Sequence, residues 1–373
     1  MQIRHLKVAN EVEQRKELMT TTDISRKTQF FNYNNSFRGK LPEWCNSVLP
    51  TIDVGHKTVP NALVTKGALD GWPRSLISGV FDEELNEVKE SVFVRGYRVS
   101  FPRDITQLQI ESLNKKKGQC VYLGWFITHY GHFITESISR MWWLAKYRDE
   151  IKNCVFLVHA NFKSPNDFPM HVKETLNAFG VSLSQIELID DDMICESLIV
   201  PSQSIVLDYS ISEFQLDTWN EIKTKLYKES ANKPKRKVYL SRRYQDQKDT
   251  SRKFNDIDVE EVFKRYSFEI VYPEQLSFQE QVQIYAETEI LAGPVGSAMH
   301  NAAFMSENST VLILAPNSFL FKTDAHISKV KKHNLYYFLH DTGSTDIKRV
   351  NYEINIAELS NFLAQEFPSV TDK

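Results

Sequence analysis

The sequence predicts an α/β fold made of two doubly wound lobes. Three observations support this fold class. Short apolar runs rich in β-branched and aromatic residues alternate with segments of helical periodicity in the front half, the same alternation recurs in the back half, and a polar, lysine-rich segment separates the two. A chain of 373 residues is also long enough for two domains, each with its own apolar core.

The predicted domain boundaries follow changes in composition. Residues 1–55 are polar and show no periodicity, so we expect an irregular N-terminal extension there, without a core element. The linker-like run ANKPKRK then separates a front lobe over 56–228 from a back lobe over 229–373. Each lobe is expected to hold one sheet covered by helices.

The front lobe contains a long predicted helix between strands. The segment 131–150 places Ile134, Ile138 and Ala145 at helical spacing, and neither Gly nor Pro follows Gly131, which predicts one continuous helix. The other elements follow from β-forming runs and from periodicity. They are strands at 91–99, 119–126, 154–160, 186–190 and 197–201, and helices at 167–180 and 212–230.

The back lobe repeats the alternation more regularly. Its predicted strands are 237–243, 268–273, 289–293, 310–316 and 334–340, and its predicted helices are 258–266, 278–288, 297–305 and 356–367. Parallel strands joined by helices bring their carboxyl ends to one edge of the sheet, and ligands of α/β folds bind at that edge. The residues directly after the strands are therefore the candidates for a site.

Composition excludes several classes of function. The 45 Lys and Arg are balanced by 48 Asp and Glu, for a net charge of −3, so no overall positive field attracts nucleic acid. The four cysteines form no CxxC pair, which argues against a zinc site and a dense disulfide framework. The sequence has no long uninterrupted apolar run, and together with its cysteine usage this predicts a cytoplasmic protein.

The first candidate for chemistry lies on the helix that begins at Gly131. His132, Glu136 and Arg140 recur every four residues and therefore share one stripe of the predicted helix. An imidazole beside a carboxylate can act as a general base, because the carboxylate orients the ring. The spacing alone favours the alternative, a solvated helix face with a Glu–Arg pair. The position of His132 directly after a strand favours catalysis.

The second candidate is the glycine-containing turn LAGPVGSAMHN, residues 291–301. A strand leads into Gly293, Pro294 and Gly296, and a helix is predicted from Ser297. Such a turn gathers backbone N–H groups at a helix N-terminus, which favours a phosphate or a carboxylate, and His300 and Asn301 could add donors. An ordinary tight turn remains an equal alternative. The nicotinamide fingerprint GxGxxG is absent.

The third candidate is a set of basic residues after the first strand of the back lobe. Arg242 and Arg243 come directly off that strand, and Arg252 follows in the same loop, where guanidinium groups could neutralise a diphosphate. The alternative is a solvated basic loop, which is the usual fate of charge runs. The run Asp190, Asp191, Asp192 could bind a metal, but a solvated turn is the better interpretation.

Three blocks of the sequence, taken together, resemble glycosyltransferase family 61. They are YLGWFITHYGHFITESISRMWWL, then YLSRR with the downstream SRKFND, and LSFQEQVQIYAETEILAGPVGSAMHNAAFM followed by VLIL, in that order between residues 122 and 314. The resemblance implies a GT-B fold, in which two Rossmann-like lobes face each other across a cleft. It also implies inverting transfer from a nucleotide sugar, with no cofactor and no metal needed for the chemistry.

The resemblance assigns roles residue by residue. His132 and Glu136 match the motif of the front lobe, together with Gly131 and Phe133, and Arg140 lies where an arginine recurs. The predicted donor-binding residues of the back lobe are Arg242, Arg252, Asn255, Gln281, Gly293, Pro294, Gly296, Ser297, His300 and Asn301. Asp256 stands where the family often has Glu, and Val295 stands where it often has His directly after the proline.

The implied mechanism has His132, assisted by Glu136, as the base that deprotonates an acceptor hydroxyl, while Arg242 and the glycine turn receive the diphosphate. Glu136 acting itself as the base is the close variant. The implied partners are a nucleotide-sugar donor and an oligosaccharide or lipid-linked glycan acceptor of bacterial capsule or lipopolysaccharide synthesis. A location at the inner face of the membrane, with peripheral association to a membrane assembly complex, stays open. The alternatives are a nucleotide-sugar-modifying enzyme and a non-catalytic binding subunit of a polysaccharide assembly complex.

Overall fold

Strands and helices alternate along the computed structural model, which describes residues 29–32, 49–70, 75–106, 108–227, 235–244, 253–316, 319–340 and 351–368. The strands within these residues are β1 Gln29–Asn32, β2 His56–Val64, β3 Ala68–Asp70, β4 Ser75–Ile77, β5 Val80–Phe81, β6 Val94–Arg95, β7 Tyr97–Arg98, β8 Ser100–Phe101, β9 Asn114–Trp125, β10 Cys154–His159, β11 Ile186–Leu188, β12 Met193–Pro201, β13 Ile205–Val206, β14 Ser210–Ile211, β15 Arg236–Leu240, β16 Glu269–Val271, β17 Thr288–Pro294, β18 Thr310–Pro316 and β19 Asn334–His340. The α-helices are α1 Tyr130–Thr135, α2 Trp142–Lys146, α3 Met170–Ala178, α4 Glu213–Leu226, α5 Asp256–Arg265, α6 Phe278–Ala286, α7 Lys322–Val330 and α8 Ile356–Glu366.

The described residues divide into two compact units. Unit 1 lies within Leu49–Ile222, and unit 2 comprises Lys223–Lys373 together with strand β1. The boundary therefore falls inside helix α4. The boundary expected from composition, at 228–229, lies outside the described residues and stays a prediction.

Unit 2 is built on a six-stranded parallel sheet with the order β1-β19-β18-β17-β15-β16. From β15 the chain moves outward to β16 and then returns to β17 on the other side of β15, as in a doubly wound sheet. The order of strands therefore reverses between β15 and β17. A ligand site is expected outside the carboxyl ends of these two strands.

Strand β1 is a correction to the sequence analysis. Irregular structure was expected throughout 1–55, yet four residues of this segment pair in parallel register with β19, from Gln29 opposite Tyr336 to Asn32 opposite Leu339. Such pairing requires that β19, more than 300 residues later in the chain, leaves one edge of the sheet open. No local pattern reveals an edge of that kind.

Unit 1 is built on a six-stranded mixed sheet with the order β11-β10-β9-β12-β2-β5. Strands β11, β10, β9 and β12 are parallel, whereas β2 pairs antiparallel with β12 and β5 pairs antiparallel with β2. The sequence predicts a doubly wound lobe here, without β2 and β5. The parallel part nevertheless reverses its order between β9 and β12, so a second switch point lies at their carboxyl ends.

Several predicted elements differ in extent. The single strand expected at 91–99 is two short strands, β6 and β7, which pair around Gly96, a residue with φ +50. The helix expected at 297–305 is a 3-10 helix, Ser297–Phe304. Helix α7 was not predicted, because most of its residues are polar, although Thr323 to Val330 are buried. Arg236, expected in the linker, belongs to β15, where it pairs with Glu269 and Glu287.

Candidate active site

The helix predicted over 131–150 is broken into α1, a 3-10 helix at Ser137–Arg140, and α2. The break begins at Glu136, whose φ of −108 departs from helical geometry. Other segments use the carbonyl groups that an intact helix would pair: Trp219 Nε1 donates to Ile134 O at 3.0 Å, and Ser204 donates to Ser139 O through both N and Oγ at 2.7 Å. Tertiary hydrogen bonds thus replace part of the helical ladder.

The break places Glu136 inside unit 1, between two basic groups. Its Oε2 lies 2.5 Å from Nδ1 of His132, and its two oxygens accept from Nε and Nη2 of Arg95 at 2.7 and 3.0 Å. The Glu136 side chain is 1% exposed, whereas His132 is 40% exposed and Arg95 26%. The carboxylate is therefore buried, and the imidazole that it holds reaches solvent.

Glu136 is ionised in this setting. Burial raises the pKa of the carboxyl group, but the hydrogen bonds from His132 and Arg95 and the charge of Arg95 outweigh burial and hold the pKa below its usual value. An ionised carboxylate accepts from Nδ1–H of His132, which leaves the lone pair on Nε2 of the ring. The structure thus brings His132 and Glu136 together, as the sequence predicted, and the interpretation as a solvated face is wrong for Glu136.

Arg95 was missed by the sequence analysis. Arg95 lies in β6, 41 residues before Glu136 in the chain. No local spacing therefore connects the two residues. The segment after β12 fixes it: Gln203 accepts from Val94 N at 2.7 Å, and Arg95 forms a β-bridge with Leu207. The neighbouring Ser204 holds the 3-10 helix through Ser139. One segment at the switch point therefore positions both Arg95 and the residues around Glu136.

Arg140 does not belong to this cluster. Its guanidinium group is buried and donates to the carbonyls of Glu90, Pro201, Ser91 and Val92. The common stripe predicted for His132, Glu136 and Arg140 is therefore wrong, because the helix is interrupted between Glu136 and Arg140. The arginine connects the turn at 89–92 to the end of β12 and acts as a structural residue.

In unit 2 the glycine turn and Arg242 meet at the switch point. Arg242 follows β15, and the turn with Pro294 and Gly296 follows β17, the neighbouring strand. A methyl group added to Gly296 would lie 3.9 Å from Nη1 of Arg242, so the guanidinium group extends over the turn. Gly293 has a packing role, since a Cβ there would lie 3.2 Å from Cβ of Leu240 in β15.

Two predicted donor-binding residues are occupied with structural hydrogen bonds. Asn255 donates to Ile354 O at 3.1 Å and accepts from Ile354 N at 2.9 Å. Gln281 donates to the carbonyls of Pro273 and Leu276 at 3.0 and 3.3 Å. Both side chains therefore fasten loops of unit 2, and their expected contact with a donor stays a prediction. Arg252 lies outside the described residues.

The 3-10 helix after the glycine turn begins at Ser297 and contains His300 and Asn301. Asn301 is fully buried and donates to Ala298 O at 3.0 Å, which makes it a structural residue of the turn. His300 instead bonds through Nδ1 to Oδ1 of Asp324, a residue of α7, at 2.7 Å. Asp324 was not predicted as a site residue, because it lies in the unpredicted helix α7. Val295, at the position where the resembled family often has His, is buried.

Two carboxylates, the half-buried Asp256 and the buried Glu260, lie beside Arg242 and Arg243. Glu260 is 1% exposed and accepts from Ser241 Oγ at 2.7 Å and from Tyr272 OH at 3.1 Å. Burial raises the pKa of Asp256 to about 6, because the charge of Arg242 offsets burial only in part and Glu260 adds repulsion. Oδ1 of Asp256 is buried without a hydrogen-bond partner in the described part of the chain. Asp256 thus offsets part of the positive charge of Arg242, and Nη1 of Arg243 lies 3.5 Å from Oε2 of Glu260.

The aspartate run 190–192 is not a metal site in the structure. Asp190 and Asp191 are exposed, and Asp192 accepts from Arg103 Nη1 at 2.7 Å and from Lys66 N at 2.8 Å. Across the described ranges, no group of three or more His, Cys, Asp or Glu side chains is arranged to hold a metal ion. Metal-independent chemistry stays a prediction.

Each unit thus carries polar residues at the switch point of its sheet, with an imidazole on a carboxylate in unit 1 and a glycine turn beside an arginine in unit 2. Residues 130–312 match the family described as glycosyltransferase 61. The chain is accordingly a glycosyltransferase. It belongs to glycosyltransferase family 61, and the matched segment includes His132, Glu136, Arg242 and His300 but neither Arg95 nor Asp324. No curated protein matches the sequence. Within the described residues, no helix combines the length and the apolar character needed to cross a membrane.

Proposed function

We propose that the protein transfers a sugar, with inversion, from a nucleotide-sugar donor to a hydroxyl group of a glycan acceptor in bacterial surface polysaccharide synthesis. Membership of glycosyltransferase family 61 supports the class of donor and acceptor. The proposal includes a GT-B arrangement with an acceptor-side lobe over 56–228 and a donor-side lobe over 229–373. It requires neither a cofactor nor a metal ion for the chemical step.

The single observation that carries the proposal is the arrangement of His132 on Glu136. The buried carboxylate fixes the ring through Nδ1, and Arg95 holds the carboxylate through two hydrogen bonds. Nε2 is then a base on a rigid support, in a side chain that remains 40% exposed. Glu136 is a poor base by comparison, because Arg95 lowers its affinity for a proton and its side chain is buried.

In the proposed reaction the acceptor oxygen forms a bond to the anomeric carbon of the donor. The bond from that carbon to the diphosphate oxygen breaks, and its electron pair leaves with the diphosphate. The acceptor proton moves to Nε2 of His132, and the resulting imidazolium is stabilised by Glu136. Arg242 and the turn at Gly296 receive the charge that develops on the leaving group. A single displacement of this kind inverts the anomeric configuration.

The test begins with binding. A panel of nucleotide sugars is screened for thermal stabilisation of the wild-type protein, because a ligand of the native state raises the midpoint of unfolding. Transfer to a glycan acceptor is then measured with the donor that binds. His132→Ala should lower kcat by about 10³-fold with donor affinity unchanged, in line with the usual contribution of a general base.

Two comparisons make this test specific. Glu136→Gln keeps the shape of the side chain but removes its charge, and it should lower kcat by about 100-fold through the tautomer of His132. His56→Ala, at an exposed histidine of β2, serves as the matched control and should retain full turnover. Full turnover of both His132→Ala and Glu136→Gln would contradict the proposal, and a tightly bound nicotinamide would favour a nucleotide-sugar-modifying enzyme.

A further inference from the structure

His300 and Asp324 form a second imidazole–carboxylate pair, in unit 2 and independent of the one at Glu136. Nδ1 of His300 lies 2.7 Å from Oδ1 of Asp324, and the two side chains are 9% and 2% exposed. The ring of Phe321 packs edge-on against the imidazole at a centroid distance of 5.9 Å. The ring is therefore fixed by both a hydrogen bond and an aromatic contact.

The carboxylate of Asp324 is buried and has one hydrogen-bond partner among the described residues, His300. The other carboxylate oxygen, Oδ2, is buried and has no hydrogen-bond partner among the described residues. An ionised carboxylate is stable in such a place only when it is paired. His300 is the hydrogen-bond partner of Asp324 among the described residues, and the contact uses Nδ1 of the ring. A phosphate oxygen placed at Nε2 would leave the imidazole between two anions, and both would accept a hydrogen bond from it.

The pair lies beside the switch point of the unit 2 sheet. His300 is in the 3-10 helix that starts directly after Gly296, over which Arg242 extends. Nδ1 is used by Asp324, and Nε2 makes no hydrogen bond to a described residue. A fixed imidazole nitrogen next to an arginine and a glycine turn is suited to a phosphate oxygen.

We propose that Asp324 is a positioning residue that holds His300 as a donor to a phosphate group of a nucleoside diphosphate. The inference rests on the proposed function, since it gives the leaving diphosphate a third contact besides Arg242 and the glycine turn.

The experiment measures binding of UDP, GDP and CDP, and of uridine, guanosine and cytidine, by calorimetry. Asp324→Asn keeps the size of the side chain but removes its charge. It should raise the Kd of the nucleoside diphosphate that binds by about tenfold, as expected for one charge-assisted hydrogen bond, and leave the Kd of the matching nucleoside unchanged. His300→Gln should do the same.

A double-mutant cycle separates positioning from mere structural support. If Asp324 acts through His300, the double variant should bind the diphosphate no more weakly than His300→Gln alone. His333→Gln is the matched control, because His333 is equally buried in unit 2 but bonds to the carbonyl of Ser306, and diphosphate affinity should not change.

The outcomes are distinct. An unchanged Kd for the diphosphate in Asp324→Asn, equal weakening of diphosphate and nucleoside, or additive effects in the double variant would each overturn the role of Asp324 while leaving the proposed function standing. Failure of the wild-type protein to bind any of the three diphosphates would contradict the proposed function itself. If Asp324→Asn does not fold, Asp324→Glu replaces it in the double-mutant cycle with His300→Gln, and the same Kd values are compared.

Discussion

The charge of Glu136 depends on its two hydrogen-bond partners, Arg95 and His132. Arg95 supplies two of its hydrogen bonds and His132 the third, so the carboxylate is fully engaged and cannot itself move toward a substrate. The exposed edge of His132 is then the part of this cluster that can meet an acceptor hydroxyl. Orientation of the imidazole, more than proximity alone, is the property that Arg95 controls.

Arg95 should therefore affect turnover without touching the substrate. Arg95→Lys keeps the charge but loses the paired hydrogen bonds, and kcat should fall by about tenfold, whereas Arg95→Met should lower kcat by about 100-fold, because a misplaced base loses most of its effect. KM for the donor should stay constant in steady-state kinetics. Arg98→Met, at an arginine of β7 that pairs with Glu87, is the control and should behave like wild type. A matching loss there would show that the variants merely loosen the hairpin.

Asp256 should limit stability at neutral pH. Its pKa of about 6 in the native state lies above the 3.8 of a free carboxyl group. Between these pH values the native state keeps a proton that the unfolded chain has released, so this group lowers the free energy of unfolding as pH rises, and the cost is complete above pH 6.

Asp256→Asn should remove that cost. Because the carboxyl group is partly exposed, we expect a gain of about 1 kcal/mol at pH 7.5, less than the full shift would give, and almost none at pH 4. Urea unfolding at the two pH values measures the difference. Asp258→Asn, at an exposed residue of the same helix, should show no such dependence on pH. An equal effect of Asp256→Asn at both pH values would contradict the role assigned to burial.

Local spacing revealed one half of each residue cluster. His132 and Glu136 could be paired from the sequence because they are four residues apart, and His300 could be identified because it follows a glycine turn. Their partners could not be found in this way. Arg95 lies 41 residues from Glu136 and Asp324 lies 24 from His300, and only the folded sheets bring them together.

At the scale of elements, the segment after β9 shows why a correct periodicity can predict the wrong helix. The apolar residues Ile134 and Ile138 do lie in the core, as their spacing indicated. The polar residues Glu136 and Arg140 of the same segment are also buried, and each needs partners that a regular helix cannot offer. The chain therefore exchanges helical hydrogen bonds for bonds to Trp219 and Ser204. Composition alone does not report such competition.

The two glycines of β9 with positive φ test how firmly Arg140 is held. Gly118 and Gly124 both have φ +80, but a Cβ at Gly118 meets nothing within 4 Å, whereas at Gly124 it would lie 2.9 Å from Nε of Arg140. Gly118→Ala should cost about 1 kcal/mol through its backbone conformation alone. Gly124→Ala should cost about 3 kcal/mol, because the guanidinium group must leave some of its carbonyl partners buried and unpaired.

Chemical denaturation of the two glycine variants gives both values directly. In an Arg140→Met background, Gly124→Ala should cost less than it does in the wild-type protein, since the contact with the guanidinium group is already absent. Equal costs for Gly118→Ala and Gly124→Ala would mean that Arg140 has room to move. The connection that this arginine makes between the turn at 89–92 and β12 would then be weaker than its hydrogen bonds indicate.

At the scale of the whole molecule, each unit follows the rule that an α/β sheet binds its ligand where the strand order reverses. The alternation of apolar runs and helices was enough to predict this class of fold, including nearly every strand of unit 2. The antiparallel strands β2 and β5 and the added strand β1 escaped prediction, because each depends on an available sheet edge. The positions after β9 and β15 were nevertheless predicted as sites from the sequence.

A nucleoside diphosphate should protect unit 2 selectively. The residues proposed to bind it, Arg242, the turn at Gly296 and His300, all belong to that unit, so hydrogen exchange in 240–244 and 290–304 should slow in the presence of the diphosphate. At a concentration of about 100 times Kd, the free energy of opening should rise by ~2.7 kcal/mol. Amides of 114–125 in β9 are the internal control and should exchange at an unchanged rate. Protection of β9 without protection of 290–304 would assign the nucleotide to unit 1 and reverse the proposed division of roles.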